Sequence, residues 1–256
     1  MKMIYVGGQK QGEIRGEMLK VLKRATYVLV GTIVLFVLAI VFMKGYIFDS
    51  EANMSNVVKV VTYEGTGSAV FVGNNKLLTA AHVVSGMAID DVCDIEFQDP
   101  NDPDRKVYAQ AKLLQKGDWK RLKEVKSEKE YVDNCSQDYA LLSVVGLKAS
   151  DVAQPCAIAS STTAKVGDKI FVEGYPNGEY SKTDGTINNI SGALLKDKRF
   201  FIVNANAWGG NSGGALYDAE GKLLGIVTMV GNYQKVGNDL TIVVKIDHIK
   251  ERIAID

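Results

Sequence analysis

The segment AWGGNSGGAL, residues 207–216, places four glycines around one serine. Glycine within a strand loses conformational entropy and packs nothing, so a cluster of four marks backbone held in unusual geometry. One use of such geometry is to turn peptide N–H groups toward a point where negative charge develops. Ser212 would then be a nucleophile beside its own oxyanion hole; the alternative is a glycine-rich hairpin turn. A serine nucleophile needs a base, and the base needs an acid to orient it.

The chain has two histidines. His82 ends the apolar stretch "LLTAA", so a strand delivers the imidazole. His248 lies in "IDHIKERIAI", where Lys250 and Glu251 suggest a solvated helix face. Asp138, in "SQDYALLSVV", heads an almost fully apolar run, which puts its carboxylate at a barrel rim, partly buried. A buried carboxylate requires hydrogen-bond partners. An imidazole N–H supplies one and has its tautomer fixed by the contact. A strand-capping aspartate and a structural histidine are the alternatives for these two positions.

Thirty basic and thirty acidic residues give zero formal net charge, which excludes a dominant nucleic-acid footprint. There is no CxxC, no P-loop and no histidine pair at ligand spacing, so no cofactor and no metal are expected. Cys93, Cys135 and Cys156 are too few for a disulfide framework; one bridge with a free thiol, or three buried thiols, both fit. Residues 25–43, "ATYVLVGTIVLFVLAIVFM", contain no charge. At about 1.5 Å per residue they span a roughly 30 Å hydrocarbon core. Lys2, Lys10, Arg15, Lys20, Lys23 and Arg24 precede this run, and only Lys44 follows closely. The positive-inside rule then assigns 1–24 to the cytoplasm, 25–43 to a single-pass transmembrane anchor, 44–56 to a linker and 57–256 to the outside. A cleaved signal peptide competes through Ser50-Glu51-Ala52, but the apolar run is longer than a signal's about 7–15 residues and lies far from that site.

From Val57 onward the texture is β-rich: "VVKVVTYE", "GSAVFVG", "CDIEFQ", "YALLSVV", "KIFVEGY", "RFFIVNA" and "KLLGIVTMV". Roughly eleven such runs between turn residues predict an all-β barrel or sandwich. Helical periodicity recurs only in "IDHIKERIAI". Residues 116–133 carry six basic and five acidic side chains and read as a solvated loop or surface helix without chemistry of its own.

The order His82, Asp138, Ser212, each in its flanking context, resembles the trypsin-like serine proteases of the chymotrypsin fold. "TAAHVV" is similar to that family's histidine motif, "DYALL" to its aspartate motif and "GNSGG" to its serine motif. "GTGSAVFVGNNKLLTAAHVV" and "VGDKIFVEGYP" are similar to the bacterial HtrA (Deg) branch, which typically carries an N-terminal anchor or signal. The resemblance covers 57–256. It implies two antiparallel six-stranded β-barrels, at about 57–150 and 151–246, with a closing helix at 247–256. His82 and Asp138 would come from the first barrel and Ser212 from the second. The amides of Gly210 and Ser212 would form the oxyanion hole. Asn206 would sit at the base of the S1 pocket, and Thr228, Met229 and Val230 on the strand that pairs with substrate, Thr228 also bonding the aspartate.

Those matches imply a membrane-anchored serine endopeptidase acting on protein or peptide substrates; a catalytically idle binding or scaffold module is the alternative. Asn206 carries no charge, and Val227 stands where glutamate-specific relatives place histidine, so an uncharged P1 residue is expected. Asn211, where trypsin zymogens carry an aspartate, implies no activation by N-terminal cleavage. The chain ends 44 residues past Ser212 (256 − 212), without room for the PDZ domain usual in the HtrA branch, so gating through such a domain is not expected. The 56-residue separation of His82 and Asp138 (138 − 82) exceeds that branch's usual spacing because of the 116–133 insert. Oligomeric state stays open, a homo-oligomer included.

Overall fold

The computed structural model describes residues 18–20, 22–23, 26–27, 29–33, 54–190, 197–230 and 240–255, with backbone alone at Leu122, Met229 and Val230. The chain divides into two units, Met1–Ser50 and Glu51–Asp256. In the first, the described residues are helical and exposed. Most of the 25–43 run lies outside the described residues, and among those described no helix is long and apolar enough to cross a membrane.

The second unit holds twelve strands in two closed antiparallel barrels. The first barrel comprises β1 (Val57–Thr62), β2 (Gly65–Gly73), β3 (Lys76–Thr79), β4 (Val92–Asp99), β5 (Asp102–Lys116) and β6 (Ala140–Val145), in the order β1-β2-β3-β6-β5-β4. The second comprises β7 (Lys169–Gly174), β8 (Ser181–Asn189), β9 (Phe200–Val203), β10 (Ala215–Asp218), β11 (Leu223–Val230) and β12 (Thr241–Lys245), in the order β10-β11-β12-β9-β8-β7. Closure leaves neither sheet with an exposed edge.

Strand alternation explains why several runs are apolar on both faces. Val58 and Ala69 point into the first barrel, while their neighbours Val57 and Val70 join a separate cluster that also holds Ala215, Tyr217, Ile226 and Val244 of the second. Leu216, Leu224, Val227 and Val243 fill the second barrel. With side chains alternating at period two, a strand at the contact between barrels must be apolar throughout.

Two helices close the contact. Ser127 caps α1 (Glu128–Ser136) by accepting from the Glu130 N–H at 3.1 Å. Its Tyr131, Val132 and Cys135 are buried in the inter-barrel cluster, so the charged 116–133 segment is solvated on one side only. Arg199, before β9, bonds Asp133 Oδ1 at 2.8 Å and Ser136 Oγ at 2.7 Å. The closing helix α2 (Ile246–Lys250) has five residues, shorter than the periodicity of "IDHIKERIAI" implied. Beyond it Ile253 and Ile255 are buried, and Lys76 Nζ donates to the Ala254 carbonyl at 3.1 Å.

His248 corrects its sequence reading. It is 7% exposed rather than solvated, donating from Nε2 to the Ser136 carbonyl at 3.0 Å and accepting at Nδ1 from Arg252. Burial, followed by the nearby Arg252 charge, pushes its pKa below the ordinary value.

Candidate active site

β3 ends at Thr79, and the small buried residues Ala80 and Ala81 let the chain turn tightly into a 3₁₀ helix, Ala81–Val84. That turn presents His82 with its side chain 26% exposed. Asp138 lies between α1 and β6 and is 1% exposed. Its Oδ1 accepts the His82 backbone N–H at 2.9 Å, and its Oδ2 lies 2.7 Å from His82 Nδ1. Thr228 Oγ1 donates to the same Oδ2. The register of β11 against β12 shifts between Val227 and Met229, and this irregularity sets the direction of the Thr228 side chain.

An ionised carboxylate only accepts, so its contact assigns the proton to Nδ1 and leaves Nε2 of the neutral ring with a lone pair. Burial pushes the His82 pKa down, but the charge and hydrogen bond of Asp138 outweigh it and hold the imidazole above its ordinary 6.5. The three cysteines offer no competing nucleophile. All are free and buried, and burial pushes Cys93 up to about 11 and Cys135 and Cys156 up to about 12.

Ser212 is partly exposed, on a loop whose backbone is bonded to both barrels. Its carbonyl accepts from the Ser68 N–H of β2 at 2.8 Å, and Gly213 N–H donates to the Val227 carbonyl of β11 at 2.8 Å. Gly210 has φ +104°, and a Cβ there would run into the Tyr175 carbonyl. Gly213 has φ +82°, and its Cβ would meet the Ser68 carbonyl and Thr79 Oγ1. Both positions exclude any other residue. At Gly209 a Cβ would meet open space, so not every glycine of the cluster is compelled.

The orientation of one peptide matters most. The Gly209 carbonyl accepts from Asn177 N–H at 2.8 Å, Asn177 itself being left-handed at φ 53°. A trans peptide points its carbonyl and N–H in opposite directions, so the Gly210 N–H is turned away from the Asn177 turn. Among the described residues neither the Gly210 nor the Ser212 N–H meets an acceptor. Two unpaired donors on one tight turn are what a developing oxyanion requires.

Ser68 was not singled out from the sequence. Its hydroxyl donates to the Gly210 carbonyl at 2.7 Å and accepts the Tyr175 N–H at 2.9 Å, tying β2 to the serine loop. Nothing local to "GTGSAV" announces that contact. Trp119 was also missed: its ring centroid lies 5.7 Å from that of His82. Of the other expected residues, Asn206 is exposed, with its carbonyl accepting from Thr183 Oγ1 at 2.9 Å. Met229 and Val230 pair through the backbone with Ile242 and Thr241. Asn211 is 2% exposed, and its Oδ1 has no hydrogen-bond partner among the described residues.

A family described as the trypsin-like peptidase domain matches residues 67–226. The chain is 32% identical over 136 residues to a "Serine protease HtrA-like" from Staphylococcus aureus (strain bovine RF122 / ET3-1), a match covering 42% of this chain and 18% of that relative. Less than a fifth of the relative's length is thus represented. Among solved structures, Rv3671c from M. tuberculosis H37Rv in an inactive form gives a TM-score of 0.52 at 20% identity, over 77% of this chain and 84% of that one. The HtrA-type protease AlgW with tripeptide gives 0.54 at 24%, over 79% and 60%. Deg5 gives 0.54 at 19%, over 81% and 90%. At such identities these structures speak to the fold alone.

Proposed function

The chain belongs to the trypsin-like peptidase family, and from that premise we propose that it is a membrane-anchored serine endopeptidase using Ser212, His82 and Asp138. The observation that carries this reading is the Asp138 carboxylate bonded to His82 Nδ1, which leaves Nε2 as the free base. Ser212 Oγ attacks a peptide carbonyl while His82 takes its proton and then gives it to the leaving amine. The Gly210 and Ser212 amides hold the oxyanion, and Thr228 keeps Asp138 in place. Water enters after the amine departs, and the same base activates it to hydrolyse the acyl-enzyme.

Support for the anchor is the uncharged run at 25–43 with its basic residues on one side. The protease unit then works outside the cytoplasmic membrane on proteins or peptides with an uncharged P1 residue. No N-terminal cut belongs to this mechanism, because neutral Asn211 offers no carboxylate to a new ammonium. The deciding test is fluorophosphonate labelling of full-length protein in membranes. Wild type should be labelled at Ser212, and Ser212→Ala should lose labelling together with at least about a thousandfold of peptide hydrolysis. Undiminished proteolysis by Ser212→Ala protein overturns the assignment. Recovery of the full-length chain in the soluble fraction overturns the anchor.

A further inference from the structure

The chain has only two tryptophans, and both stand at the candidate active site. Trp119 lies within the charged segment, between Asp118 and Lys120, where a solvated loop would turn every side chain outward. Its ring instead packs on the His82 imidazole at 5.7 Å, tilted by 44°. The segment is tied down on both sides of it, through side chains and through the Lys120 backbone. Lys116 Nζ donates to the Ser85 and Met87 carbonyls at 3.3 and 2.7 Å, just after the His82 turn. Lys120 exchanges two hydrogen bonds with the Asn134 side chain, at 2.6 and 2.9 Å, and Arg121 pairs with Glu64 at 2.5 Å. Trp208 sits two residues before Gly210 and is 63% exposed, while its carbonyl accepts from Asn211 N–H at 3.0 Å. A large apolar ring is therefore held in water by a loop whose backbone is bonded.

We propose that Trp119 and Trp208 are the specificity-determining walls of the cleft, which takes an extended peptide carrying apolar side chains on both flanks of the scissile bond. This rests on the serine-protease reading above. A carbonyl attacked by Ser212 must lie within reach of His82 Nε2, so a residue flanking it comes into contact with a ring 5.7 Å from the imidazole. The opposite flank passes the Gly210 amide and so the Trp208 side of the loop. Neither ring supplies a charge, and a rigid indole gives large apolar contact at little entropic cost.

Two tryptophans make the test spectroscopic. Ser212→Ala protein is titrated with an uncleaved peptide bearing Leu on both sides of the would-be scissile bond, and with the same peptide bearing Asp there. The Leu peptide should change the indole fluorescence saturably and bind at least tenfold tighter. In Trp119→Phe and Trp208→Phe versions each variant should lose part of the signal. In the active chain, Trp119→Ala and Trp208→Ala should each shift the peptide-library profile at a different flanking position. Their loss in peptide kcat/KM should exceed their loss in fluorophosphonate reactivity at least tenfold. Saturable binding without fluorescence change, or unaltered profiles in both alanine variants, overturns the proposal. Absence of fluorophosphonate labelling in wild type would instead overturn the protease reading on which it rests.

Discussion

Ser68 shows how much one side chain can hold when it is wholly buried. Its hydroxyl satisfies the Gly210 carbonyl and the Tyr175 N–H together, so removing it orphans two backbone groups beside the Ser212 loop. Leaving buried polar groups unpaired costs about 1–3 kcal/mol. Ser68→Ala should therefore lower thermal stability and, under the proposed mechanism, lower kcat by about 10–100-fold with KM little changed, since the Gly210 amide would then act as an oxyanion donor, which matters only in the transition state. A tetrahedral-adduct inhibitor such as a peptide boronate should weaken in parallel with kcat. A purely structural serine would lower stability and leave the kcat-to-KM split and the boronate affinity untouched. His82, Asp138 and Ser212 stand out in the sequence because each lies in a short chemically distinctive context, and the fold brings the first two into contact. Ser68 was not, because its partner Gly210 lies 142 residues away and a serine in a strand has many ordinary uses. Trp119 escaped for a related reason: the charges around it describe the loop's outer side and conceal the ring packed against His82.

At the scale of elements the serine loop is a geometric device, and its glycines make separable demands. Gly213 is left-handed with no space for a Cβ, whereas Gly209 has open space around it. Gly213→Ala should cost several-fold more stability than Gly209→Ala, whose cost should stay within about 0.5 kcal/mol as for an ordinary surface change. Urea unfolding of both in a Ser212→Ala background measures this without self-cleavage. Equal, small losses would mean that the loop relaxes and that the cluster is not needed for its geometry. The β-rich runs of the sequence foreshadow the barrels well, since strands at the inter-barrel contact are apolar on both faces and strands elsewhere alternate. What periodicity could not supply was where helices stop. "IDHIKERIAI" keeps an apolar spacing to its end, yet α2 stops at Lys250 because Ile253 and Ile255 are drawn into the inter-barrel cluster. His248 was misread for the same reason: charged neighbours in sequence say little about a side chain that turns under α1 to reach Ser136.

Over the whole molecule, the two histidines make opposite contributions to stability as pH changes. His82 is held above 6.5, since Asp138 outweighs the opposing effect of burial. Between 6.5 and its folded pKa the native state keeps a proton that the unfolded chain has released, so this stabilisation is complete below 6.5 and is lost as pH rises. His248 is held below 6.5 by burial and then by Arg252, with Arg199 acting the same way and Glu251 and the Ser136 carbonyl opposing. Between its folded pKa and 6.5 the unfolded chain is protonated and the native state is not, so this stabilisation is complete above 6.5 and is lost as pH falls. The cysteine thiols, pushed up to about 11 and 12, stay out of this range. Stability of the Ser212→Ala protein should therefore peak near 6.5, falling on both sides between roughly pH 5 and 8, the range where histidines titrate. Proteolysis should follow a different curve. In the proposed mechanism His82 is a base only when neutral, so kcat/KM should rise through its folded pKa, above 6.5, where the fold is already losing stability. Chemical unfolding across that pH range separates the two groups: His82→Ala should flatten the alkaline slope alone, and His248→Gln the acid slope alone. Asp138→Asn should move the acid limb of kcat/KM downward in pH while reducing kcat by about 10⁴-fold, because the carboxylate that raises the imidazole also fixes its tautomer. If both slopes persist when both histidines are replaced, other groups set the stability profile. If the Asp138→Asn limb stays where it was, Asp138 does not hold the pKa of the base.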